Sequence, residues 1–329
     1  MKIAIVKLSA LGDIVNTMFV LQFIKKHYPL SEIDWIVEKK FKGVLECNPH
    51  ISNIQFININ KAKRDKSILL LLSELYKVKS FGNYDLVIDF QGLIKTAIVS
   101  KLLRSKKIVG FDWSSIREGV ASFAYSQKVN IGYHENTILR YKKLVSEALN
   151  FTITEEELLE KEPFLYNHSS IFLPKKPYII FVVSSTWESR NYPKEKFVKA
   201  ANLLKKDCIV IWGTTQERQK AEWMGSESSY ISVMPRLSLD DLKFVIGNAS
   251  LLIGNDTGPS HISWGLNIPS IILFGPSPVE RMFQTSSNKA LKSKSKINHR
   301  KLNKNDFSIK EITVNEIVKI AEHLLGLSS

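Results

Sequence analysis

Residues 1–17 read MKIAIVKLSALGDIVNT, and this stretch decides the fold. The run KIAIVKL at 2–8 is apolar on both alternating faces and too short for a helix, so it predicts a strand buried on both sides. A tight turn at Gly12 leads into a helical pattern from 13 to 27. A doubly buried strand feeding a helix is the opening unit of a parallel βαβ sheet. The same alternation continues outward, with strands expected at 33–38, 53–58, 84–89 and 107–111 and helices between them, notably 66–79 and 93–103. From 112 the pattern loosens, and 135–149 is again helical. Residues 150–176, acidic and then punctuated by Pro, read as the linker region, with the boundary drawn between 160 and 161. The second half restarts with strands at 178–183, 208–212, 230–233, 250–254 and 269–274 and helices at 194–206, 215–226, 238–248 and 258–266. Residues 286–308, rich in Lys, Ser and Asn, read as an exposed loop, and a last helix at 313–326 is free to pack back on the first domain. The expected class is α/β: two Rossmann-like, doubly wound parallel-sheet domains, 1–160 and 161–329, with ligands at the carboxyl ends of strands in the cleft between them.

Composition narrows the partner. Among 329 residues, 46 Lys and Arg against 32 Asp and Glu leave a net charge of +14, which points to an anion: nucleic acid, an acidic membrane or a phosphorylated substrate. Nine of the 46 are Arg, so 37 are Lys and each Arg is the more informative placement. Cys47 and Cys208 lie far apart in apolar stretches, which excludes a disulfide framework or zinc site and leaves buried thiols. There is no run of 18 apolar residues, and the amino terminus is interrupted too early by Lys7 and Asp13 to be a signal peptide, so the chain reads as cytosolic.

Four loops could carry chemistry. In Ser9–Asp13, Asp13 sits at a helix start, where it is either a cap or a carboxylate poised to take a proton from a hydroxyl. In Gly254–His261, a Gly-rich helix entry follows a buried strand and favours a diphosphate, with Asp256 and Thr257 as caps and His261 one turn in as a donor. Ser184, Ser185 and Thr186 with Arg190 make a phosphate grip or a solvated loop. Trp212–Glu217 is a further strand-to-helix turn, whose Glu217 is a ribose acceptor or an ordinary first-turn acid. The run Lys61–Lys66 is a solvated face or a grip for an acidic acceptor, a role also open to Arg117 and Arg140.

These residues resemble the ADP-heptose:lipopolysaccharide heptosyltransferases, glycosyltransferase family 9 with a GT-B fold. The matching pieces are IVKLSALGDIVNT, VIDFQGLIKTA at 87–97, FDWSSIREGVASFAYS at 111–126, the Ser-Thr loop before YP at 192–193, WGTTQE and NDTGPSH. They run in order through nearly the whole chain, and the DFQGLIKT and DWxxxRE pieces look like the type I enzyme, which adds the first heptose to Kdo on lipid A. The resemblance implies Asp13 as general base, with Arg190 and His261 assisting catalysis. It implies that Ser185, Thr186, Arg190, Glu217, Leu237, Asp256, Thr257, Gly258 and His261 surround ADP-heptose. It puts Lys61, Lys63, Arg64, Gln91, Arg117 and Arg140 at the acidic acceptor. Arg190 stands where the family has Lys and Leu237 where it has Met; charge and apolar character are kept.

The implied reaction is an inverting single displacement: a Kdo hydroxyl, deprotonated by Asp13, attacks the anomeric carbon of ADP-L-glycero-β-D-manno-heptose and gives an α-linked product. Arg190, His261 and the amides at 257–260 would stabilise the departing diphosphate in place of a metal, so no cofactor or metal is expected. The lipid A acceptor implies a cytoplasmic protein peripherally attached to the anionic inner membrane. The type II reaction on a heptosylated core is the nearest alternative. A dehydrogenase lacks its GxGxxG fingerprint, and a nucleic-acid binder lacks stacking aromatics among its cations.

Overall fold

The computed structural model describes residues 1–173, 177–299 and 301–327. They form two units, Met1–Tyr166 and Asn167–Ser329. The first carries β1 (Lys2–Val6), β2 (Glu32–Glu38), β3 (Asn53–Ile57), β4 (Leu86–Asp89), β5 (Ile108–Phe111) and β6 (Gln127–Val129), in the spatial order β3-β2-β1-β4-β5-β6. The second carries β7 (Ile179–Val182), β8 (Cys208–Ile211), β9 (Ile231–Val233), β10 (Leu251–Asn255), β11 (Ser270–Phe274) and β12 (Asn288–Lys292), in the order β9-β8-β7-β10-β11-β12. Every pairing in both sheets is parallel. Each unit is therefore a doubly wound Rossmann-like sheet, as the alternation of apolar runs and helices predicts. Strand order reverses between β1 and β4 in one sheet and between β7 and β10 in the other. At such switch points the loops leaving neighbouring central strands diverge and open a crevice for a ligand. The Asp13, Gln91, Arg190 and Gly254–His261 loops are the four that leave these strands.

The central strands are buried from both sides: Ile3, Ala4, Ile5 and Val6 of β1 are inaccessible to solvent. In the second unit Phe181, Tyr192 and Phe197 pack ring against ring at 5.1 and 5.4 Å. Tyr192 also donates from its backbone N to Asn255 Oδ1 (3.0 Å) and from its hydroxyl to Ile312 O (2.9 Å). Gly254, at the end of β10, is required by close approach, since a Cβ there would lie 2.6 Å from Val182 Cβ and 3.0 Å from Ser260 Oγ. Gly254→Ala is expected to cost about 1–3 kcal/mol by forced repacking, read as a lowered denaturation midpoint at unchanged slope.

Several expectations need correction. The division falls after Tyr166 rather than after residue 160, because the short helix Glu155–Leu159 and the buried Phe164 and Leu165 belong to the first unit. Part of the expected linker, residues 174–176, lies outside the described residues. The last helix, Val314–Leu324, belongs to the second unit, where it packs on helix Lys194–Leu204 and β11 and buries Ile317 and Ala321. The stretch 286–308 is not all loop, since it contributes the edge strand β12, and 112–135 contributes β6. The helix expected over 13–27 is two pieces, Leu11–Met18 and Val20–His27. Cys208 is a buried thiol, pushed up to about 12 by burial, whereas Cys47 is only half-buried.

Candidate active site

In the first unit the site is built on the ends of β1 and β4. Lys7, almost fully buried, donates to Phe90 O (3.0 Å) and to Tyr141 OH (2.6 Å), which pins the end of β1 to β4 and to helix Thr137–Leu149. Asp89, closing β4, is wholly buried and accepts from Gln91 N (2.8 Å), Gly92 N (3.1 Å) and Tyr125 OH (2.8 Å). Burial raises its pKa, against the pull of these bonds. The turn so formed passes through Gly92 at φ +66, a left-handed geometry that Gly adopts without penalty. It directs Gln91 Oε1 onto the backbone N of Leu8 (2.8 Å) and Ser9 (3.2 Å). Gln91 thus fixes the loop that carries Asp13. Asp13 is half-buried in the first turn of helix Leu11–Met18, where its Oδ2 accepts from Ala10 N at 3.2 Å. It caps, but from inside the helix, with Ala10 in the cap position.

Beside this turn lies a lysine absent from the sequence-based selection. Lys95 Nζ is 3.4 Å from Ser9 Oγ. Burial lowers its pKa, Glu38 and Glu118 oppose this, and Lys63 and Lys40 add to it. Lys61, Lys63 and Arg64 are all exposed; Lys63 is close enough to act on the charge of Lys95, and Arg64 is paired with Asp65 at 3.1 Å. The segment of all three is a short helix, Ile59–Arg64, rather than a loop. Arg117 is exposed next to Glu118, whose Oε2 accepts from Ile94 N at the start of helix Ile94–Leu102. Arg140, also assigned to the acceptor by the resemblance, has structural partners. It is buried, donates to Gly132 O (3.0 Å) and Ser115 O (2.5 Å), and stacks on Phe111 and Tyr133. It braces the loops flanking β5 and β6.

In the second unit the ends of β7 and β10 hold an ionic cluster. Asp256, buried, accepts a short bond from Arg190 Nη2 and lies 3.2 Å from His261 Nε2 and 3.7 Å from Arg281 Nη1. Burial alone pushes its carboxyl up. The His261 hydrogen bond and the charges of Arg190 and Arg281 more than reverse this and hold it well below the usual carboxylate range. Thr257 precedes helix Gly258–Gly265 in the cap position without a side-chain cap, and Gly258 opens the helix. Ser185 is tied in by a 3.5 Å bond from its Oγ to Asp256 O and by Asn191 Oδ1, which accepts from its N at 2.6 Å. Ser185, Thr186 and Glu217 line one cavity of about 620 Å³, with Asn191, Lys194 and Lys220. Glu217 is a first-turn acid, its Oε2 accepting from Gly213 N at 2.6 Å, and its side chain also borders that cavity. Leu237 does not line that cavity; it is half-buried between β9 and helix Leu239–Gly247.

Buried polar side-chain atoms normally find a partner. Six among the described residues have none, and five of them, Ser184 Oγ, Ser189 Oγ, Arg190 Nε, Asn255 Nδ2 and Ser277 Oγ, belong to the ends of β7, β10 and β11 or the loops that follow. Arg281 was missed because its loop, GPSPVER after β11, has no helix-entry glycine pattern. Lys95 was missed because it reads as one more solvated helix lysine.

Comparison with known proteins agrees with this arrangement. Over 99% of both chains the sequence is 37% identical to lipopolysaccharide heptosyltransferase 1 of Campylobacter coli. It is 28% identical to lipopolysaccharide heptosyltransferase 1 of Escherichia coli K12, over 84% of this chain and 88% of that one. The solved structure of E. coli heptosyltransferase WaaC with ADP superposes with a TM-score of 0.82 at 22% identity, covering 98% of this chain and 100% of that one. The family model of glycosyltransferase family 9 (heptosyltransferase) matches residues 78–311, and with a relative of this identity along its whole length the chain belongs to glycosyltransferase family 9.

Proposed function

We propose that the protein transfers L-glycero-D-manno-heptose from ADP-L-glycero-β-D-manno-heptose to a Kdo residue of Kdo-lipid A, the type I step of lipopolysaccharide inner-core assembly. The observation that carries this reading is the gathering of unpartnered buried polar atoms beside the Arg190–Asp256–His261 cluster. All five atoms can donate, three as hydroxyls, one as a guanidinium N–H and one as an amide NH₂, so the set suits an acceptor-rich diphosphate. The relatives named heptosyltransferase 1 support the choice of sugar and step.

In this mechanism Asp13 takes the proton of the attacking Kdo hydroxyl. The oxygen bonds to the anomeric carbon from the face opposite the leaving group, and the bond from that carbon to the diphosphate breaks. Charge grows on the leaving phosphate and is met by Arg190 and by donors at the start of helix Gly258–Gly265. Asp256 acts through its partners: it holds Arg190 and His261 in place before the substrate arrives. Glu217 and the Ser185–Thr186 loop face the nucleoside end, and Lys63, Lys95 and Arg117 attract the acidic acceptor. Because side-chain cations meet the diphosphate charge, no metal is required. No helix among the described residues is long and apolar enough to cross a membrane, and contact with the anionic cytoplasmic leaflet follows from the lipid acceptor.

The test is a transfer assay with ADP-heptose against Kdo-lipid A and a heptosylated core acceptor in parallel, with and without a chelator. Transfer to Kdo-lipid A alone, unchanged by the chelator, is expected. Transfer to the heptosylated acceptor alone would replace the type I reading with type II, and loss of activity in chelator would refute the metal-free mechanism.

A further inference from the structure

We propose that the outer face of helix Ile68–Val78, continued by helix Ile94–Leu102 and the 3-10 helix Gly119–Ala124, is the surface on which this protein docks to an anionic lipid bilayer. The proposal rests on the lipid-linked acceptor of the preceding reading and deepens it by naming the surface.

Helix Ile68–Val78 (ILLLLSELYKV) is apolar on two sides. Leu71 and Leu75 are half-buried and Val78 is buried in the core of the unit, the covered side that an amphipathic helix requires. The opposite stripe should be polar, yet it holds Ile68 (73% exposed), Leu69 (81%), Leu72 (57%) and Tyr76 (76%). Positions 68, 72 and 76 are four apart and so lie on one face. A large apolar stripe left in water marks a surface that meets something else.

The stripe does not stand alone. Its helix packs beside helix Ile94–Leu102, which packs in turn against Gly119–Ala124. There Ile94 and Ile98 are nearly half exposed, and Val120 and Phe123 more so. Between these two elements runs a groove of about 290 Å³ whose walls are almost wholly aliphatic, edged by Lys101. Lys128 Nζ lies 5.6 Å from the Phe123 ring.

Charge identifies the occupant. Residues 59–80 carry Lys61, Lys63, Arg64, Lys66, Lys77 and Lys79 against Asp65 and Glu74, a net charge of +4. The two acids are engaged, Asp65 with Arg64 and Glu74 Oε2 with Asn58 N (2.9 Å). Lys61, Lys63 and Lys66 form no ion pair among the described residues. A protein–protein contact is depleted in lysine at its core, whereas leucines flanked by lysines on one helix suit acidic headgroups above acyl chains. The face also borders the reacting end of the unit. Ile94 adjoins Lys95, which reaches Ser9 in the Asp13 turn. An acceptor held in the leaflet would present its sugar to Asp13 from this side.

The experiment is flotation of the full-length protein with vesicles of phosphatidylethanolamine and phosphatidylglycerol, and with vesicles of phosphatidylcholine alone. The wild type is expected to bind the anionic vesicles in a salt-sensitive way, and Leu69→Gln/Leu72→Gln to bind them at least about tenfold more weakly. Both residues are exposed, so the variant should keep its melting temperature and its transfer to a soluble, deacylated acceptor. Equal vesicle binding by variant and wild type would overturn the proposal. So would a wild type that ignores vesicles and forms dimers that the variant loses. Failure of the wild type on the soluble acceptor would instead sink the functional reading, and the vesicle result would still decide the surface.

Discussion

Asp13→Asn is expected to lower turnover by about 10²–10⁴-fold while leaving ADP affinity and melting temperature close to wild type. Asn is the informative replacement, because Asp13 has two tasks. Its Oδ2 accepts from Ala10 N, and loss of such a cap typically costs about 1 kcal/mol. An Asn carbonyl oxygen can still accept that bond, so the helix start is kept and only proton acceptance is removed. Asp13→Ala removes both and should add a drop in melting temperature to the same loss of rate. ADP binding, read by calorimetry, should not move, since the groups assigned to the nucleotide are on β7, β8 and β10. An Asn variant with more than a tenth of wild-type turnover would remove Asp13 from the role of base.

Asp256→Asn should be the most damaging single change to the second unit. It replaces a buried carboxylate by a neutral amide and leaves Arg190, 8% exposed, without its counter-charge. Breaking a buried ion pair from one side costs about 3–5 kcal/mol, more than the pair itself contributes. ADP affinity should fall too, because Arg190 and His261 lose the group that orients them. The pH dependence gives a separate signature. The folded carboxyl lies below its ordinary value of 3.8, so its stabilisation is fully present above about pH 4 and is lost as pH falls through the folded value. Wild type should therefore lose stability steeply in acid below pH 4, and the variant less so. A variant whose acid unfolding profile parallels wild type would show that Asp256 is not held by Arg190, Arg281 and His261.

The fold and the site were legible to different depths, for physical reasons. β1, β4, β7 and β10 are buried on both faces, and their unbroken Ile, Val and Leu runs announce them. The strands missed in the two sheets are two of the four edges, β6 (QKV) and β12 (NKALK), where polar and Lys residues are tolerated because one side lacks a neighbour. The motif loops were found because a strand-to-helix turn with Gly, Asp or Ser is a local pattern. The bracing by Arg140 was not legible because burial is not local: its guanidinium donates to carbonyls 25 and 8 residues away. Lys95 and Arg281 were passed over because their neighbours come from β1 and β10, far off along the chain. The exposed stripe of helix Ile68–Val78 hid in plain view, since four consecutive leucines read as core until the structure shows which side is covered.

Tyr192 has a consequence for engineering. One residue past the Arg190 turn, it ties that turn to Asn255 through its backbone and to Ile312, 120 residues downstream, through its hydroxyl. The loop that would grip the nucleotide is thus moored at both shores of the second unit. It cannot be transplanted as a peptide with its sequence intact and be expected to keep its shape. A chimera that borrows a donor preference from a relative must borrow the far mooring with it.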